Sequence, residues 1–392
     1  MDRPSLEVAD IFRTHGGAWR RAHVGHVSLG QLKAMSAIER CRSAALGGHV
    51  LRCRDCATER IAYNSCRNRH CPKCQARAAR RWLNAREQDL LPVEYYHVVF
   101  TLPAAIADIA LQNKAVVYGL LFKATAATLR TIAGDRRHLG ADIGFTAVLH
   151  TWGSALTHHP HLHCIVPGGG LSLDEHQWVP CRRGFFLPVR VLSKLFRRLF
   201  LTQLDAAYRD GQLAFHGRLK ALADGQAFAD VIAPLRQRDW FVYAKRPFAG
   251  PKAVLRYLSR YTHRVAISNR RLVACDDQRV TFKWKDYRAK AARRDKTMQL
   301  TIDDFIGRFL LHILPSGFHR IRHYGWLANA SRRAKLCQLR ALLKPGDADA
   351  MGGSVTVEPG AEVCVEYRCP DCGGRMVIVA TLDRTPWVRA PP

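Results

Sequence analysis

The sequence predicts an α+β fold with a small metal-held unit toward its N-terminal end. Three observations carry that expectation. Short runs rich in β-branched and aromatic residues alternate with long segments of helical periodicity. Two Cys-x2-Cys pairs, Cys53/Cys56 and Cys71/Cys74, stand close together. The chain has 392 residues, of which 48% are hydrophobic. That is enough to bury a substantial core and, at about 100 to 200 residues per domain, to build two or three units.

Residues 6–86 are rich in Cys, His and Arg and periodic only at their ends, so the middle reads as loops held by metal. Residues 93–101, VEYYHVVFT, read as a strand and residues 106–132 as one helix. Further strands follow at 145–150 and 161–166, the latter closed by the turn Pro167-Gly168-Gly169-Gly170. Helical patterning resumes over 191–222, and residues 240–244 look strand-like. Pro251 then opens a segment, 252–261, that suits a helix with proline in its first turn. Short strands and basic helices fill the rest to about residue 340. Residues 345–368 carry five carboxylates against one Arg, which puts a boundary near Pro345. The expected organisation is two domains, 1–90 and 91–344, followed by a C-terminal tail, 345–392.

Lys and Arg outnumber Asp and Glu by 61 to 32, a net charge of +29. A surplus of that size on a foldable chain implies a polyanionic partner, and DNA is the usual one. Anionic membrane is the competitor, but the most apolar stretch, 115–122, lies between Lys114 and Lys123, so no transmembrane run is expected. Residues 1–10 carry Asp2, Glu7 and Asp10 and lack a signal-peptide apolar core, which predicts a cytoplasmic protein.

Of 13 cysteines, six fall between Cys41 and Cys74. A reducing compartment keeps thiols free, so the clustering points to metal rather than disulfides. Cys53, Cys56, Cys71 and Cys74 supply four thiolates, which complete a tetrahedral zinc site. Cys41, His49, Cys66 and His70 remain and have the chemistry for a second zinc; the pairing of ligands between the two sites stays open. Arg67, Arg69 and Lys73 lie among these ligands and read as phosphate contacts. Near the C-terminus, Cys369-Pro370-Asp371-Cys372 has the form of a single knuckle with Cys364 close by. Alone, it is either a zinc site short of a distant ligand or a simple turn.

The run THHPHLHCIVPGGG contains His158, His159, His161 and His163. On a strand, His161 and His163 share a face, and two imidazoles so placed can hold one divalent ion. In LRYLSRYTHR, a helix would set Tyr257 and Tyr261 one turn apart, beside a ridge of Arg256, Arg260 and Arg264. The bland reading of that pair is core aromatics at helical spacing. The chemical reading joins the two motifs: a tyrosine hydroxyl is almost wholly protonated at neutral pH, so attack on a phosphodiester needs a metal to polarise the phosphate.

These residues resemble a known family, the two-tyrosine HUH rolling-circle transposases of the insertion sequence ninety-one family, with their N-terminal transposase zinc-binding domain. The similarity runs through SCRNRHCPKCQ (65–75), HTWGSALTHHPHLHCIVPGGG (150–170), YAKRPFAGP (243–251), YLSRYTHRVAISN (257–269) and LHILPSGFHRIRHYG (311–325). It implies an HUH-endonuclease-like antiparallel sheet with flanking helices, His161 and His163 as ligands of Mg²⁺ or Mn²⁺, and Tyr257 and Tyr261 as nucleophiles. A third metal ligand is expected, and His159, on the same strand face, is the first candidate. The activity implied is nicking and rejoining of single-stranded DNA at element ends through a 5′-phosphotyrosine intermediate, by a bacterial, nucleoid-associated protein. Lys245 and the basic stretch 283–296, with Lys283, Trp284 and Lys285, suit gripping and stacking a single strand. The rival readings are a plasmid relaxase or replication initiator of the HUH class, and a non-catalytic zinc-dependent DNA-binding protein.

Overall fold

The computed structural model describes residues 6–245, 266–286, 294–343 and 367–385. The chain divides into two units, residues 1–74 with 345–392, and residues 75–344.

In the first unit, α1 (Val8–Ala22) packs on α2 (Leu29–Arg40), burying Val8, Ile11, Phe12, Met35 and Ile38. Gly16 permits the approach: a Cβ there would lie 2.7 Å from the Met35 terminal methyl. Ser28 starts α2 with a reciprocal cap, its hydroxyl accepting from the Gln31 amide while the Gln31 side chain accepts from the Ser28 amide. The segment expected to be loops forms instead an antiparallel hairpin, β1 (Gly48–Cys53) and β2 (Glu59–Tyr63). Backbone pairing, and not metal alone, orders it. α3 (Pro72–Glu87) begins with proline, whose fixed φ suits a first turn.

The second unit is built on a five-stranded antiparallel sheet. Its elements are β3 (Tyr95–Thr101), α4 (Ala104–Gln112), α5 (Lys114–Gly134), β4 (Ala141–Asp142), β5 (Phe145–Trp152), β6 (His158–Pro167), β7 (Gly169–Ser172), β8 (Trp178–Pro180), α6 (Val189–Arg209), α7 (Gly225–Gln237), β9 (Val242–Lys245), β10 (Leu272–Cys275), β11 (Arg279–Lys285), β12 (Asp295–Thr301) and β13 (Ile321–Tyr324), with helices at Ile302–Leu311 and Arg332–Leu342. Strand order is β13-β5-β6-β3-β9, so β6 is central. Side chains alternate along each strand, and the registers decide which residues share a face. One face collects Tyr96, Val98 and Phe100 of β3, Leu162, Cys164 and Val166 of β6, and Phe145, Ala147 and Leu149 of β5. These pack with Leu121 and Phe122 of α5 and Phe196 and Phe200 of α6 in the main core. The opposite face therefore carries the polar positions of the same strands.

Several elements differ from the sequence expectation. The helix expected over 106–132 is two helices, broken at Asn113, whose amide donates to the Ile109 and Ala214 carbonyls and whose oxygen accepts from the Ala214 N–H. α5 is the one helix among the described residues long and apolar enough to cross a membrane, contrary to the expectation that no run reaches that length. Val117, Leu121, Phe122 and Leu129 of that helix are fully buried in the protein core. The helix expected to reach residue 222 stops at Arg209, where Gly211 takes a left-handed φ of 66°. Within 283–296, the described ends belong to the paired strands β11 and β12 rather than to a helix.

The described part of the C-terminal segment groups with the first unit. β14 (Met376–Leu382) pairs antiparallel with β1 and completes a three-stranded sheet, order β14-β1-β2. Residues 367–385 thus belong to the first unit, because β1 offers them a free edge to pair with.

Candidate functional site

On β6, His161 and His163 fall on the polar face, as their spacing requires. The third histidine brought to them is His150 of β5, registered directly opposite His161. One ring nitrogen from each of His150, His161 and His163 lies within 4.8 Å of the others. His159, the candidate read from the sequence, stays outside this group. It sits two positions along the strand from His161 and is exposed, whereas His150 approaches across the ladder, where antiparallel partners are closest.

Second contacts fix the rings. The His161 Nδ1 donates to the His159 carbonyl at 2.7 Å, which leaves Nε2 as the nitrogen His161 offers a metal. His163 Nδ1 is engaged at 2.7 Å by Nε2 of His97 on β3, so its ligand nitrogen is likewise Nε2. Burial holds the imidazoles of His161 and His97 down to about 4, with the Lys245 ammonium adding to the effect at His97. At neutral pH, His161 and His97 are therefore uncharged, and His161 presents a lone pair without first expelling a proton.

The edge of the same face carries groups that spacing alone did not reveal. Phe241 and Tyr243, 64% and 46% exposed, stack with ring centroids 6.4 Å apart. Tyr243 is registered with Val99, which is itself registered with His163, and Lys245 with His97. A wet aromatic pair beside a cation and a metal-competent cluster is a surface suited to stacked bases and phosphate. Alternation along 240–244 could have flagged Phe241 and Tyr243 as one face.

In the first unit the thiols regroup. Cys41, Cys66, Cys71 and Cys74 form one cluster, with Cys74 Sγ 3.6 Å from both Cys41 and Cys66. Cys53 and Cys56 belong to a second, with Cys369 and Cys372. The assignment of Cys53 and Cys56 to one site with Cys71 and Cys74 is thereby corrected, as is the leftover set: Cys41 and Cys66 join Cys71 and Cys74, while His49 and His70 join neither cluster. The reason is chain direction. Cys41 ends α2 and Cys71 and Cys74 begin α3, whereas β1 carries Cys53 toward the paired strand β14. Backbone N–H groups of Cys66 and Asn68 point at Cys41 Sγ and Cys66 Sγ, each at 3.5 Å, which favours thiolate.

Among the basic residues, Arg67 is exposed, at a left-handed φ of 53°, and Arg69 is half-buried. Lys283 and Lys285 are exposed on β11 with Trp284 half-buried between them. Lys73, read as a phosphate contact, is instead turned inward: its side chain is 4% exposed and ion-paired with Glu7, itself 8% exposed. Tyr257, Tyr261, Arg256, Arg260 and Arg264 lie outside the described residues.

Residues 144–335 match the family model described as "Putative transposase". Residues 11–102 match the one described as "Transposase zinc-binding domain". "Putative transposase y4qJ" of Sinorhizobium fredii (strain NBRC 101917 / NGR234) is 55% identical over 98% of this chain and 97% of its own length. The chain belongs to this transposase family. A more distant transposase, "Transposase for insertion sequence element IS801" of Pseudomonas savastanoi pv. phaseolicola, is 27% identical over 88% of this chain and 82% of its own. Transposase membership makes DNA the polyanion that the +29 charge answers to. It also assigns zinc to the N-terminal module. The Cys41/Cys66/Cys71/Cys74 cluster falls inside the zinc-binding match and the three histidines inside the other, whereas Cys369 and Cys372 lie beyond both.

Proposed function

We propose that this transposase nicks and rejoins single-stranded DNA at element ends through a covalent 5′-phosphotyrosine, driving rolling-circle transposition. The observation that carries the reading is the convergence of His150, His161 and His163 on the polar face of an antiparallel sheet, with their rings fixed by neighbours. Three imidazoles fit a divalent cation: intrinsic preference favours Mn²⁺ and cellular supply Mg²⁺. When bound, the ion would polarise a scissile phosphate and stabilise its developing charge. Tyr257 and Tyr261 act as nucleophiles in this reading, on the strength of their YLSRYTHR motif. The phenol oxygen bonds to phosphorus, its proton passes to solvent, and the 3′ oxygen leaves as a hydroxyl. The bond energy is kept in the protein–DNA ester, so a 3′ hydroxyl can reverse the step without ATP. Cys41, Cys66, Cys71 and Cys74 would hold structural zinc, and their tetrathiolate chemistry suits it.

The test is a labelled single strand carrying candidate ends, incubated with the protein and Mn²⁺ or Mg²⁺ and read as a denaturation-resistant adduct. The expected adduct requires metal and disappears in the Tyr257→Phe/Tyr261→Phe double variant. An adduct that survives the double variant assigns another nucleophile. Tight DNA binding without any adduct favours the non-catalytic zinc protein.

Phe241 and Tyr243 extend this reading to binding. Replacing both with alanine should weaken single-stranded DNA binding about 30-fold or more, since two stacked bases at about 1–3 kcal/mol each sum to at least about 2 kcal/mol. Duplex affinity should change far less, because paired bases cannot open onto the rings. Fluorescence anisotropy with matched single-stranded and duplex oligonucleotides checks this, and an equal loss on both would refute stacking.

A further inference from the structure

We infer that Cys53, Cys56, Cys369 and Cys372 hold a second structural zinc, which clasps the C-terminal segment onto the N-terminal module. The sulfurs are arranged for it. Cys372 Sγ lies 3.4 Å from both Cys53 and Cys56, and Cys56 Sγ lies 3.6 Å from Cys369. All four sulfurs lie within 4.8 Å of one another. A tetrahedral tetrathiolate with Zn–S near 2.3 Å sets its sulfurs about 3.8 Å apart, so these distances are close to a loaded site and far from the roughly 2.05 Å of a disulfide.

The backbone is built to the same end from both sides. The two Cys-x2-Cys turns, some 300 residues apart in the chain, close alike: the Cys53 N–H donates to the Thr58 carbonyl at 2.9 Å, and the Cys369 N–H to the Gly374 carbonyl at 2.7 Å. The residue after the second cysteine is left-handed in each, Ala57 at φ 59° and Gly373 at φ 76°. The Asp55 amide donates to Cys53 Sγ at 3.4 Å. Gly374 has no side chain where one could not fit, since a Cβ would stand 2.1 Å from Asp55 Oδ2 and 3.1 Å from Cys53 Sγ. Gly47 does the same at the far end of β1, where a Cβ would lie 2.4 Å from the Leu382 carbonyl oxygen. Two near-identical knuckles, brought face to face by the β1–β14 ladder, leave little for four thiols to do except bind one soft divalent ion. Apolar burial around them is slight, limited to Leu51, Met376 and neighbouring Ala62, so the cluster is not a hydrophobic core in disguise.

The zinc-binding module of this chain is therefore completed by residues far beyond its own segment, and the C-terminal knuckle, unpaired in sequence, has its partner in Cys53/Cys56. The inference does not depend on the strand-cleavage reading. Its test uses the full chain and two measurements. By elemental mass spectrometry, Cys369→Ser/Cys372→Ser and Cys53→Ser/Cys56→Ser should each lower bound zinc by one ion per chain relative to wild type, while Cys337→Ser changes nothing. Folding defects do not cloud the second measurement, which is iodoacetamide labelling of the wild type mapped by peptide mass. Cys56, Cys372 and Cys337 are all exposed, so burial does not protect the first two, and protection that a chelator removes is protection by metal. Protection of Cys56 and Cys372 that vanishes with chelator, while Cys337 reacts throughout, is the expected result. Labelling of Cys372 as fast as Cys337 in metal-loaded protein overturns the site, and iron in place of zinc overturns the choice of ion.

Discussion

Replacing His150 with alanine is expected to lower metal-supported strand cleavage about 100- to 1000-fold, the scale on which removing one electrostatic contributor to a transition state acts. The same replacement at His159 should cost no more than a few-fold. The contrast is sharp because the two residues make different demands on the sheet. His150 reaches its partners across the ladder from β5, opposite His161, whereas His159 is exposed at the start of β6 and gives the site only its backbone carbonyl. That carbonyl survives substitution. His97→Ala should fall between them, weakening metal affinity about 10- to 100-fold by releasing the His163 ring it holds at 2.7 Å. Initial cleavage rates over a Mn²⁺ titration, with affinity measured separately by calorimetry, separate the three. A loss at His159→Ala as deep as that at His150→Ala would return the third ligand to β6.

What the sequence disclosed and what it hid follow from the range of each signal. His161 and His163 were legible because strand alternation is a period of two and needs no partner. His150 was not, although it opens the same quoted segment: its place depends on the register of the β5–β6 hairpin, and that register shifts at an irregularity between His150 and Trp152. Cysteine spacing disclosed ligand type without ligand partner. Three pairs share one spacing, and only the β1–β14 ladder tells Cys53/Cys56 apart from Cys71/Cys74. The break at Asn113 was masked by apolar periodicity that continues on either side of it. Its cause is a side-chain bond to Ala214, about a hundred residues away. Composition was the most reliable guide, since a surplus of 29 positive charges needs no geometry to be read.

Lys73 shows the limit of that guide, and its replacement should act on folding rather than on DNA. A lysine between two clustered cysteines in an arginine-rich segment looks like a phosphate contact. Here its stem is buried, its ammonium pairs with Glu7, and it donates at 3.4 Å to the carbonyl of Cys41, tying the start of α1 to the thiol cluster. Lys73→Met removes the Lys73 ammonium from the buried Glu7 carboxylate, and breaking a buried pair by removing one partner typically costs about 3–5 kcal/mol. Against a domain stability of about 5–15 kcal/mol, that is enough to populate the unfolded first unit. Lys73→Met/Glu7→Gln removes both charges together and should recover most of the loss, because desolvating the pair already offsets much of its attraction. Denaturant unfolding of the zinc-loaded chain checks the cycle. The salt dependence of DNA affinity checks the alternative: a phosphate contact would lower the slope of log affinity against log salt by about one. A lowered slope in Lys73→Met with unchanged stability would mean that the ammonium reaches DNA after all.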